Sequence, residues 1–128
     1  ETLVDSTNTG RILDLELDLI NQRLYWTDAT LNRIERIHLN GLDRENVSAP
    51  VIIPEVTGIA LDLPNNSIFY TSDASNGIVG RFDFDTLSIT GFIDGPSPGI
   101  SFGGIWDIEL DSDSGVLYFV DEDDSELY

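Results

Sequence analysis

Residues 23–37 read RLYWTDATLNRIERI, and a diverged copy, SIFYTSDASNGIVGRF, begins at residue 67. A third version, GVLYFVDEDDSEL, begins at residue 115. An aspartate precedes each copy, at Asp18, Asp62 and Asp111, and an aromatic follows it eight residues later, at Trp26, Tyr70 and Phe119. The repeat is therefore 44 and then 49 residues long, and the longer interval absorbs the Gly/Pro-rich stretch GPSPGISFGG. A loop takes an insertion at little entropic cost.

Within each copy the apolar residues alternate with period two, which is the pattern of strands. ILDLELDL (12–19), GIALDL (58–63) and IWDIELD (105–111) read as first strands, and RLYWTD, SIFYTSD and GVLYFVD as second strands. RIERIHL (33–39), GIVGRFDF (77–84) and SELY (125–128) read as third strands. RENVSAP (44–50) and LSITGFI (87–93) read as fourth strands. Asn, Gly and Asp fill the turns between them, and no segment carries a helical period. A four-stranded antiparallel unit repeated every 40–50 residues predicts an all-β fold, a β-propeller with about three blades in this chain.

LYWTD followed by RIERIHLNGLDRENV, and VTGIALDLPNNSIFYTSD after it, resemble the YWTD repeat of the low-density lipoprotein receptor family. The resemblance runs over nearly the whole chain, although the motif decays to FYTSD and YFVD and no Cys-rich module flanks it. It implies a six-bladed propeller, a protein or peptide ligand held by top-face loops, and an extracellular or cell-surface setting. Propeller ends are commonly sewn together within one blade. The expectation is that residues 1–7 supply a strand completing a closing blade, with 11–50, 56–94 and 104–128 as two full blades and one incomplete blade. Three blades do not close a ring, so a two-fold homodimer of six blades is expected.

Charge narrows the partners. There are 24 acidic residues against six arginines and no lysine, a net charge of -18. That balance opposes nucleic acid and anionic membranes and favours a basic ligand. Without cysteine there is neither disulfide nor thiolate metal site. Two N-x-S sequons, at Asn46 and Asn65, matter only in a secretory pathway.

The candidate ligand residues lie on the top-face loops: Asp28, Asn32, Asp73, Asn76, Asp121 and Asp124, with Trp106 as an apolar anchor. The YWTD motif itself is expected to be scaffold, its Thr hydroxyl and Asp carboxylate satisfying backbone groups. Asp14, Glu16, Asp107 and Glu109 would line the central channel, where like charge is costly unless water or a cation such as Ca2+ intervenes. A calcium-dependent lactonase- or esterase-like hydrolase is thus an alternative function, and an architectural repeat unit without its own ligand is another. DSDSG (111–115) lacks the later ligands of an EF-hand loop and reads as a turn. The lone His38 has no partner for a nucleophilic triad, so binding rather than catalysis is expected.

Overall fold

A computed structural model describes residues 2–74, 77–94, 103–122 and 126–127. Three antiparallel sheets follow one another along the chain. The first contains β1 (Ile12–Asp18), β2 (Arg23–Asp28), β3 (Arg33–His38) and β4 (Glu45–Asn46) in that order. The second contains β5 (Val56–Asp62), β6 (Ser67–Ser72), β7 (Ile78–Asp83) and β8 (Ser88–Asp94). The third contains β9 (Ile105–Asp111), β10 (Val116–Asp121) and β11 (Glu126–Leu127). Each sheet is a meander, and the first strands β1, β5 and β9 lie side by side, as propeller blades require.

Pairing explains why the blades stack. In the first blade Glu16, Tyr25 and Arg36 form one cross-strand row, and Leu15, Trp26 and Glu35 form the next, on the opposite face. The Tyr25 face packs with Ile34 against Ile59, Ile68, Tyr70 and Phe82 of the second blade. The second blade then turns Ala60, Phe69 and Val79 to Ile108, Leu110, Leu117 and Phe119 of the third. Burying such side chains contributes about 1.5–3 kcal/mol each. Gly80 is required at the first joint, because a Cβ there would meet the Tyr70 ring at 2.3 Å.

Two expectations change in detail. The fourth strand of the first blade shrinks from 44–50 to Glu45–Asn46, because Val47 and Ser48 both donate their N–H to Ile34 O, at 3.0 and 3.4 Å. Pro50 has no N–H with which to extend the ladder. Residues 2–11 hold no strand in the single chain. They form turns in which Thr7 and Thr9 bond to Asp5, and Asn8 O accepts from Arg33 (3.4 Å) and Arg44 (2.9 Å) on the outer part of the first blade.

Candidate functional site

The aspartates that close the second strands are structural. Asp28 is fully buried, and its carboxylate accepts the N–H groups of Gly10 (2.7 Å), Thr30 (3.2 Å) and Leu31 (2.9 Å). Asp121 is likewise buried and accepts Gly103 N–H at 3.2 Å. Both were expected among the ligand residues, and burial removes them from that set. Their carboxylates anchor the turn that leaves each strand. Asn32, at φ 53°, is half-buried and also committed, since its Oδ1 accepts Glu55 N–H at 2.9 Å and its carbonyl accepts Ile53 N–H. Asn76 and Asp124 lie outside the described residues.

The motif threonines join blade to blade. Asp14 N–H donates to Thr27 Oγ1, and Thr27 Oγ1 donates onward to Thr57 O at 2.8 Å. One blade later, Gly58 N–H donates to Thr71 Oγ1, which donates to Thr57 Oγ1, and Thr57 Oγ1 donates to Ile105 O at 2.6 Å. The third blade has Val120 at the corresponding position and so no hydroxyl to pass on. Trp26 is buried with the Arg44 guanidinium 5.4 Å from its ring centre, which fits a scaffold role.

Two expected residues remain and come together. Asp73 and Trp106 border a cavity of about 310 Å³ at the top end of the inner strands, with Arg11, Thr30, Glu55 and Thr57 around it. Asp73 N–H bonds to Glu55 O at 3.0 Å, which fixes these two acidic residues beside each other. Gly104 leaves room for the indole, because a Cβ there would stand 3.1 Å from Trp106 Nε1 and 3.6 Å from Asp73 Oδ1. Trp106, Asp73, Glu55 and Arg11 are all exposed. Arg11 and Glu55 were not singled out from the sequence.

The four channel carboxylates lie near enough to act on one another electrostatically but do not gather into a metal cage. Asp14 folds back on the strands: Oδ1 accepts Leu15 N–H and Oδ2 accepts Ile59 N–H of the next blade, both at 2.8 Å. Asp107 repeats the first of these bonds with Ile108 N–H at 3.0 Å. Among the described residues no three His, Cys, Asp or Glu side chains stand close enough to hold a metal ion. The expected calcium cage of Asp14, Glu16, Asp107 and Glu109 therefore does not form in the single chain. DSDSG is a turn, with Asp111 accepting from Asp113 N–H and Ser114 N–H. His38 Nδ1 accepts Asn40 N–H at 3.3 Å in an outer turn.

Burial pushes the Glu16 carboxyl up to about 7, with Glu109, Asp14 and Asp107 adding to the rise. Burial raises Asp14 as well. Glu16 holds its proton more tightly folded than unfolded, so its charge opposes folding. The contribution of Glu16 to stability is greatest below its ordinary value of 4.5 and falls as pH rises to about 7. Solvent screening at a half-buried site limits the loss to about 1–2 kcal/mol. Glu16→Gln is expected to recover that amount at pH 8 and to flatten the profile between pH 4.5 and 7. Urea titrations across that range check it.

No protein-family profile matches the chain. Over 77 residues it is 35% identical to Protein cueball of Drosophila virilis, a match covering 57% of this chain and 12% of that protein. A chain in a crystal structure of a nidogen/laminin complex superposes with a TM-score of 0.72 and 20% identity, covering 90% of this chain and 42% of the other. The chain thus spans a small part of the first protein and under half of the second. The likeness in structure shows the fold, a propeller-like succession of antiparallel blades.

Proposed function

We propose that this chain is a protein-binding propeller module of the YWTD type, acting outside the cell by binding rather than by catalysis. The reading rests above all on one observation, the exposed Trp106 indole set beside Asp73 and Glu55 at the top mouth. An aromatic face next to two carboxylates suits a basic side chain, whose alkyl stem lies on the ring while its charge meets the acids. The nidogen/laminin neighbour, itself a protein complex, supports a protein partner. The test is titration with acetylated tetra-arginine amide, read by Trp106 fluorescence in a Trp26→Phe background. Asp73→Ala is expected to weaken binding about three- to tenfold, and unchanged affinity in both Asp73→Ala and Glu55→Ala would defeat the basic-ligand reading.

We further propose that two copies close into a six-bladed ring. Leu15 is 57% exposed, whereas Ile59, its equivalent in the second blade, is fully buried against the first. Tyr118 is 45% exposed, whereas Tyr25, its equivalent, is 3% exposed. The open face of the third blade thus offers what the open face of the first blade lacks. That seam would carry no hydroxyl relay, because Val120 replaces the motif threonine. Val120→Thr is expected to tighten the dimer up to about a hundredfold, the worth of one added hydrogen bond in each of the two seams, as measured by sedimentation equilibrium.

A further inference from the structure

A second groove, of about 570 Å³, lies at the opposite end of the inner strands from the Trp106 mouth. The turns that follow β1, β5 and β9 all reach it, so the three blades build it together. Its walls are largely apolar: Leu17 and Leu61 near the ends of β1 and β5, and Ile20, Leu63 and Pro64 in turns of a kind that is ordinarily polar. Ile20 is 84% exposed and Leu19 beside it 65%. Solvent does not reward these side chains, and a local apolar patch rimmed by polar groups marks an interaction site.

Glu16 stands in the same wall, and no basic residue lines the groove. The groups around this carboxylate are chiefly acidic. Glu109 and Asp107 act on it from β9 and Asp14 from its own strand. Tyr25 of β2 and Arg36 of β3 share its cross-strand row, but Arg36 is bound to Glu45 at 2.6 Å. The matching residue of β5 is the uncharged Ala60. The groove therefore lacks one thing, a cation, and offers apolar ground on either side of the place for it.

We infer that this lower groove binds a cationic, amphipathic peptide segment of a partner protein, with a Lys or Arg of the segment paired to Glu16 and its apolar neighbours seated on Ile20, Leu61 and Leu63. Docking requires the Glu16 carboxylate ionised, so a proton leaves when the segment binds below neutral pH. The surface is separate from the Trp106 mouth, and its occupancy does not depend on the top-face reading.

The probe is acetyl-Leu-Lys-Leu-Arg-Leu-amide, which has no group titrating between pH 6 and 8. Calorimetry is run on the full chain at both pH values. Glu16 is about one-tenth ionised at pH 6 and nine-tenths at pH 8, so binding is expected to be about tenfold tighter at pH 8. Release of close to one proton per peptide at pH 6 is expected from buffers of different ionisation enthalpy. Glu16→Gln should weaken binding and abolish its pH dependence, and Ile20→Ser should weaken it several-fold at both pH values. Trp106→Ala should leave it unchanged. Binding lost in Trp106→Ala but kept in Ile20→Ser would overturn the proposal and assign the peptide to the top mouth. Affinity equal at both pH values, or no heat of binding at all, would overturn it too. So would an Ile20→Ser change that breaks apart a self-associated chain without weakening the peptide, since the patch would then belong to a second copy.

Discussion

Asp28→Ala is expected to destabilise the chain by about 3–5 kcal/mol, a fall in Tm of more than about 10 °C. Three backbone N–H groups, on Gly10, Thr30 and Leu31, converge on this one buried carboxylate. Each bond to a charged acceptor is worth about 1.5–3 kcal/mol, and removing the carboxylate loses all three. The chain has no means of relaxing inward. Gly10 already approaches so closely that a Cβ on it would stand 2.5 Å from Asp28 Oδ1. Asp28→Asn should fall between the two states. Its amide NH₂ would replace the oxygen that accepts from Gly10 and set donor against donor, at a cost of about 1–3 kcal/mol. Asp73→Ala, at an exposed position whose side chain makes no hydrogen bond among the described residues, should stay within about 0.5 kcal/mol of the wild type. Denaturant unfolding of the three variants separates the two kinds of aspartate. An Asp28→Ala protein as stable as Asp73→Ala would contradict the anchoring role.

That contrast also shows what could be read without coordinates. Strand positions followed from period-two alternation, and the blade succession followed from the recurrence of Asp18, Asp62 and Asp111, because both depend on local spacing. The scaffold role of Thr27 and Asp28 was also legible, since short polar side chains at strand ends bond to nearby backbone. The same logic should have removed Asp28 and Asp121 from the ligand residues, for one buried carboxylate does not serve both tasks. The channel acids are a different case. Alternation says which face of a strand a residue takes, but β1 shifts register between Ile12 and Leu15, and there Asp14 turns to Ile59 N–H. Arg11 and Glu55 sit on aperiodic connections, and only the lateral packing of β1, β5 and β9 brings them to one cavity with Trp106. Val120 was visible as a decay of the motif, but its meaning needed the hydroxyl relay that Thr27, Thr57 and Thr71 make.

Leu15→Glu is expected to raise the dissociation constant of the proposed six-bladed ring more than about a hundredfold, leaving the chain monomeric at micromolar concentration in light scattering. The reason lies in the equivalence of the joints. Apolar residues that β5 and β6 present to the first blade have counterparts on the first blade's open face: Ile59 in Leu15, Leu61 in Leu17, Ile68 in Leu24 and Tyr70 in Trp26. Leu15 and Leu17 remain largely exposed in the single chain. Val116, Tyr118 and Val120 answer them on the open face of the third blade. A carboxylate placed in such a seam is desolvated without a partner, and it enters both seams of a two-fold ring at once. A hundredfold change needs about 2.7 kcal/mol in total, which two unpaired charges exceed. Because Leu15 is exposed in the monomer, the substitution should leave the unfolding midpoint of the monomer within about 0.5 kcal/mol, so loss of association is not loss of fold. Tyr118→Arg added to Leu15→Glu sets an opposite charge across the same seam and should restore part of the association at low salt. A wild-type chain that stays monomeric at every concentration would reject the homodimer and leave the two open faces to other blades.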